Sequence, residues 1–143
     1  MLDQLKSLSQ AAEAMTAASR ACGESLTPQT IAQLRLAGSR YLDQIDSFAD
    51  AVQDFEPWPL AGIAHHLDAQ RQAVCGMVLY RESEAKDYEA MVRLIAGDLA
   101  GAEMAYLEAR RLTDLVLERG DRADLALRKT RTIAWLMGQE VAA

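Results

Sequence analysis

The chain has 143 residues, with 15 basic and 21 acidic side chains and a formal net charge of −6, and hydrophobic residues make up half of it. This composition is typical of a globular protein, and the acidity weighs against general binding to nucleic acid or anionic membranes. The longest uninterrupted apolar run, Val74 to Tyr80, is far short of the ~20 residues that cross a bilayer. We therefore predict one soluble domain over residues 1–143, with no signal peptide, no membrane segment and a cytoplasmic location.

The residue content favours helices throughout the chain. Ala, Leu, Glu, Gln, Arg and Met are abundant and alternating runs of β-branched residues are absent. The predicted fold class is therefore all-α, with four or five antiparallel helices. The first helix is predicted over about residues 2–21, with Gly23 as the C′ residue that ends it. Thr27 and Pro28 then predict the N-cap and the first position of a second helix.

The second predicted helix, residues 27–55, has the strongest pattern in the chain. Its apolar residues alternate at spacings of three and four, which draws one seam along the helix: Ile31, Leu34, Gly38, Tyr41, Ile45, Phe48, Val52 and Phe55. The side chains expected to be buried are Tyr41, Ile45, Phe48 and Val52. Pro57 and Pro59 predict a stiff corner after this helix, because proline disfavours helical geometry in the residue before it.

A third helix is predicted from about Leu60. A break near Glu82 is favoured over one continuous helix, with either Ser83 or Asp87 as the cap of the next helix. An apolar row at helical spacing then continues down the chain: Tyr88, Val92, Ile95, Leu99, Ala102, Tyr106, Ala109, Leu112 and Val116.

Two glycine–aspartate pairs indicate turns in the last third. Gly97 and Asp98 predict a turn within the apolar row, because glycine is costly in a helix interior. Gly120 and Asp121 predict a second boundary, which leaves a last helix over about residues 122–137.

Residues 97–112 read Gly-Asp-Leu-Ala-Gly-Ala-Glu-Met-Ala-Tyr-Leu-Glu-Ala-Arg-Arg-Leu. This segment resembles the turn and second helix of a tetratricopeptide repeat, with Ala102, Tyr106 and Ala109 at the family's small, aromatic and alanine positions. The preceding segment departs from the family pattern, since Glu89 and Arg93 stand where the family has a large residue and an aromatic one. The resemblance implies a short helical array as the alternative to a bundle.

An acidic strip lies opposite the seam of the second helix and consists of Asp43, Asp46, Asp50 and Asp54. It is interpreted either as a solvated face or as a docking strip for a basic partner. A third possibility is pairing within the chain, with the basic residues near its other end, including Arg110 and Arg111. Trp58, between the two prolines, is interpreted as a cap on the core or as an exposed anchor for a partner.

No catalytic constellation is present in the sequence. His65 and His66 are adjacent and so point about 100° apart on a helix, and neither belongs to a metal-binding motif. Cys22 and Cys75 lack metal-type spacing and are expected to be buried, reduced thiols. We predict no enzyme activity, no metal and no cofactor.

The leading function hypothesis is a non-enzymatic protein-binding module, such as an adaptor, a secretion-type chaperone or an assembly subunit. A groove between helices would hold a partner helix or an extended peptide. The candidate partner-binding residues are Asp43, Asp46, Asp50, Asp54, Trp58, Arg110 and Arg111. One alternative is a structural homo-oligomer in which the seam of the second helix pairs with its own copy. A further alternative is DNA binding by a helix-turn-helix, with Gly120 and Asp121 as the turn.

Overall fold

The computed structural model describes the backbone of residues 2–52 and 57–142 and the side chains of residues 2–51 and 63–133. Within these ranges the chain forms four helices and no strand, which confirms the predicted all-α class. The helices are α1 (Leu2–Glu24), α2 (Pro28–Val52), α3 (Pro57–Ile95) and α4 (Leu99–Ala142). Helix α1 packs on α2, α2 packs on α3, and the most extensive contact joins α3 to α4.

The start of α2 is the predicted cap. Thr27 Oγ1 accepts a hydrogen bond from Thr30 N at 3.1 Å, and Thr30 Oγ1 accepts one from Thr27 N at 2.9 Å. This is a reciprocal capping box with threonine in the second position. The predicted end of α1 at Gly23 is wrong, because the helix continues to Glu24 and Gly23 has no positive φ. Ser25 N donates to Ala21 O at 2.9 Å, so the last turn closes in the regular helical way.

The apolar seam of α2 packs against other helices of the same chain. Leu34 and Ile45 are fully buried, while Tyr41 and Phe48 are half-buried and the Val52 side chain lies outside the described residues. A core cluster from three helices joins Met15, Cys22, Leu34 and Val74. A Cβ on Gly38 would lie 3.3 Å from Val78 Cγ2, so glycine is what lets α2 approach α3 this closely.

Helices α3 and α4 are longer than the sequence predicted. The favoured break near Glu82 and the boundary at Gly120 are both wrong, since each site lies inside a continuous helix. Neither glycine nor proline stands near Glu82 to end α3. Ser83, the predicted cap, instead faces α4, where its hydroxyl donates to Ala109 O at 3.1 Å. Gly120 costs about 1 kcal/mol in a helix interior, which the packing of α3 on α4 outweighs.

The boundaries of α3 also depart from expectation. The helix begins at Pro57 rather than near Leu60, because prolines in a first turn lack only N–H groups that have no helical partner. The predicted end of α2 at Phe55, and the residue before Pro57, lie outside the described residues. The predicted turn between α3 and α4 is confirmed: Gly97 has φ 81°, and Asp98 Oδ1 caps α4 by accepting from Gly101 N at 3.0 Å.

Small side chains form the seam between α3 and α4. Its buried residues on α4 recur at spacings of three and four over most of the seam: Ala102, Ala105, Ala109, Leu112 and Ala126. They face small residues of α3, including Ser83, which is 5% exposed, and Gly76, where a Cβ would lie 3.5 Å from Arg119 Cβ. Heptad-like spacing with small residues lets two helices pack closely as an antiparallel hairpin. Over the residues that the structure describes, none of the helices is both long enough and apolar enough to cross a membrane.

Candidate protein-interaction surface

The α1–α2 pair covers only part of α3. Its contacts with α3 run from Asp46, which pairs with Arg71, to Arg35, which pairs with Glu82 at 2.5 Å. Beyond that point the end of α1 and the turn after it still line a depression with α3, through Cys22, Gly23 and Leu26 on one side and Asp87, Tyr88 and Met91 on the other. Every residue from 91 to 100 is exposed. The end of the hairpin is therefore a two-helix projection.

Many of the large apolar side chains of the protein are exposed to solvent on this projection. Those exposed by 48% or more are Tyr88, Met91, Val92, Leu94, Ile95, Leu99, Met104, Tyr106 and Leu107. Because small residues fill the seam, the large ones are left to face solvent. The predicted apolar row is therefore split: Ala102, Ala109 and Leu112 are buried, whereas its large members from Tyr88 to Leu99, and Tyr106, are exposed.

One flank of the hairpin is covered by ion pairs. Glu89 accepts from Lys86 Nζ at 2.7 Å and pairs with Arg93 at 3.0 Å, and Glu108 pairs with Arg111 at 2.6 Å. Residues of both helices, among them Lys86, Glu89 and Glu108, line one depression of about 360 Å³ on this flank. Hydrogen bonding by Lys86 lowers the pKa of Glu89, and hydrogen bonding by Arg111 lowers the pKa of Glu108. The charged groups of this flank thus have partners within the chain.

The opposite flank is mostly apolar. Tyr80, Asp87 and Leu94 recur every seven residues on α3, and Leu99, Tyr106 and Thr113 do so on α4, so each trio forms a row along its helix. The two rows lie on either side of the seam, where Thr113 Oγ1 meets Ser83 Oγ at 2.8 Å. With Met91 and Leu117, one turn away from these rows, they form a surface that we call the hairpin face: Tyr80, Met91, Leu94, Leu99, Tyr106 and Leu117. Each of these six residues is 50–67% exposed.

Four charged residues lie among the apolar ones of the hairpin face: Glu84, Asp87, Glu103 and Arg110. Glu84 accepts from Arg81 Nη1 at 2.7 Å. Among the described residues, neither Asp87 nor Arg110 has an ion-pair partner. Glu103 has no ion-pair partner among the described residues either, so the face carries two acids and one base that are available to a partner.

The predicted acidic strip lies elsewhere in the fold. Asp43, Asp46 and Asp50 are exposed on α2, whereas Asp54 and the Trp58 side chain lie outside the described residues. Asp46 accepts from Arg71 Nε at 3.0 Å. Within the described part of the chain, no ion pair joins the strip to Arg110 or Arg111, so the predicted pairing with the basic end is wrong for those residues.

A shallow groove of about 710 Å³ also lies between α1 and α2. Half of its lining is alanine: Ala11, Ala14, Ala17, Ala18, Ala21 and Ala37. Leu36, on its lining, is 52% exposed. The groove offers few large side chains, so it presents less apolar surface than the hairpin face.

The remaining candidates for chemistry are dispersed. In the described ranges no three histidine, cysteine or acidic side chains come together as a metal site. His65 is half-buried beside Arg128 and Lys129, whose charge disfavours a cation there. Cys22 is buried and its thiol donates to Thr30 O at 3.2 Å, while Cys75 is half-buried, and both are free thiols.

The sequence prediction missed the hairpin face. Leu99 and Tyr106 stand in the same predicted apolar row as Ala102 and Ala109, so periodicity alone does not separate the two groups, and Leu117 is not in the row. The signal that separates them is size: positions 102, 105 and 109 hold alanine at seam spacing, and larger residues stand between them. Comparison with known protein families, curated proteins and solved structures finds no match.

Proposed function

We propose that this protein is a non-enzymatic protein-binding module, of the adaptor, secretion-chaperone or assembly-subunit type. The observation that carries the proposal is the hairpin face, with six large apolar side chains at least half exposed on one flank of the α3–α4 hairpin. An exposed apolar patch of this kind marks an interaction site, since scattered single residues would need no explanation but a contiguous set does.

The binding mode that suits this surface is helix packing. Rows of residues at seven-residue spacing on two antiparallel helices form a shallow apolar trough, into which a partner helix lays its own apolar stripe. The resemblance of residues 97–112 to a tetratricopeptide repeat is in keeping with this mode, because that segment supplies Tyr106 to the face. A cytoplasmic location remains a prediction.

The geometry of the fold bears on both alternative functions, self-assembly and DNA binding by a helix-turn-helix. Self-assembly through the α2 seam would need Leu34 and Ile45, which are buried against the chain's own helices. The hairpin face is therefore the better candidate for the interface of a homo-oligomer. The helix-turn-helix alternative loses its turn, since Gly120 and Asp121 lie within α4.

The test is photo-crosslinking in the source cell with a benzophenone side chain placed at Leu94, Tyr106 or Leu36. Leu36 is the matched control, because it is 52% exposed and lies in the α1–α2 groove. We expect adducts of defined mass from Leu94 and Tyr106 and none of that mass from Leu36. No adduct from the hairpin face, or the same adducts from all three positions, would refute the proposal.

A further inference from the structure

We propose that the partner of the hairpin face is a second copy of this chain, packed side by side about a two-fold axis that runs parallel to the α3–α4 hairpin. The inference rests on the proposed function, because it names the occupant of the same surface. In this arrangement α3 of each copy lies against α4 of the other. The four helices then form an antiparallel bundle with closed two-fold symmetry.

The first argument is area. A large apolar side chain offers roughly 150–250 Å² when fully exposed, so six side chains exposed by 50–67% present on the order of 700 Å². With the polar residues between them, this approaches the ~800 Å² that each partner buries in a standard interface.

The second argument is register. Ser83 lies opposite Ala109 and Thr113, and Arg93 reaches Asp98 beside the turn at 3.0 Å, so positions on α4 descend as positions on α3 ascend. A two-fold axis along the hairpin preserves these levels between the copies. Leu99 of one copy then lies level with Leu94 of the other, and Leu117 lies level with Tyr80. Apolar residues therefore meet apolar residues at both ends of the face.

The third argument is charge. The same register sets Arg110 level with the turn of α3 that carries Glu84 and Asp87, so Arg110 of one copy faces Asp87 of the other, twice in each dimer. Asp87 and Arg110 are two of the three charged groups of the face that have no ion-pair partner among the described residues, and Glu103 is the third. An acid and a base at matching levels make the face complementary to itself, as a two-fold interface requires.

The experiment uses charge reversal in the full chain. In Arg110→Glu the two-fold places the introduced carboxylate against Asp87, and in Asp87→Lys it places the introduced ammonium group against Arg110, so each variant alone repels its own copy. In a mixed dimer every such pair is again opposite in charge. We expect sedimentation velocity to show a dimer for the native chain and about tenfold weaker dimerisation, or more, for each variant. An equimolar mixture should return to within about threefold of the native affinity.

The matched controls are Arg128→Glu on α4 and Asp50→Lys on α2, which reverse exposed charges away from the hairpin face. Neither should change the dissociation constant, alone or mixed. Leu94→Glu should dissociate the dimer, whereas Leu36→Glu and Leu107→Glu should not, and far-UV circular dichroism verifies that all variants keep their helix content.

A native chain that stays monomeric at every concentration would overturn this inference, as would weakened variants that mixing does not restore. The proposed function survives either result if the benzophenone at Leu94 captures a different protein. If the hairpin face captures nothing, both the proposed function and the inference are refuted.

Discussion

Ser83 of α3 and Thr113 of α4 share a hydrogen bond of 2.8 Å across the seam of the hairpin, with Ser83 only 5% exposed. Both hydroxyls also lie within hydrogen-bonding distance of Ala109 O, at 3.1 and 2.9 Å. The two side chains thus link the helices at a point where α3 could accommodate a larger residue in place of the buried Ser83 only by moving away from α4. The pair fixes the register on which the hairpin face depends.

Substitution of Ser83 should separate the hydrogen bond from the packing. Ser83→Ala removes one hydroxyl and should lower the free energy of unfolding by about 1 kcal/mol, the net value of a typical hydrogen bond. Ser83→Leu forces a large side chain into a seam built for small ones and should cost about 1–3 kcal/mol. Urea unfolding of the two variants measures both. Equal stability of Ser83→Leu and the native chain would contradict the close packing of this seam.

Local patterns in the sequence were sufficient for the start of α2 and for the turn between α3 and α4. Thr27 with Pro28, and Gly97 with Asp98, act through hydrogen bonds within a few residues, so their geometry follows from residue type. The buried position of Ile45 followed from periodicity alone.

The length of α3 and α4 could not be predicted in this way. Whether a helix continues through Glu82 or Gly120 depends on a packing partner that lies tens of residues away along the chain. The hairpin face was hidden for a related reason. An apolar row predicts a buried face, but whether Tyr88 and Leu99 are covered depends on how far the α1–α2 pair extends along α3, which periodicity does not encode.

Two glycines in helix interiors should respond oppositely to alanine. Nothing lies within 4 Å of a Cβ built on Gly120, so Gly120→Ala should raise the free energy of unfolding by about 0.5–1 kcal/mol through the better helix propensity of alanine. A Cβ on Gly38 meets Val78 Cγ2 at 3.3 Å and Val74 Cγ1 at 3.5 Å. Gly38→Ala should therefore gain less than Gly120→Ala or lose stability, and Gly38→Val should be destabilising. Thermal unfolding of the three variants decides this order, and Gly38→Ala as the most stable would refute it.

Loss of the α2 cap should weaken the α1–α2 pair. Thr27→Ala removes the oxygen that accepts from Thr30 N, and we expect a loss of about 1 kcal/mol in the free energy of unfolding. Thr27→Ser retains that acceptor and should stay within a few tenths of a kcal/mol of the native chain, as preferred cap residues do. Urea denaturation monitored by circular dichroism measures both. A serine variant as unstable as the alanine variant would show that the threonine methyl group, rather than the cap, carries the effect.

Acid should loosen the hairpin through its ion-paired flank. The pKa of Glu89 lies below its ordinary value of 4.5 because of Lys86, that of Glu108 lies below 4.5 because of Arg111, and that of Asp98 lies below 3.8 because of the Gly101 N–H. A lowered pKa in the folded state means that the unfolded chain binds more protons, so this contribution is present at neutral pH and declines as the pH falls below these ordinary values. The side chains of Glu89, Glu108 and Asp98 are 34%, 39% and 49% exposed, so solvent screening keeps each contribution small. The double variant Glu89→Gln, Glu108→Gln cannot titrate at these positions. Its free energy of unfolding should therefore fall less steeply than that of the native chain between about pH 5 and 2.5. Urea unfolding at each pH measures this. Parallel curves for the native chain and the hairpin variant would show that these carboxylates do not contribute.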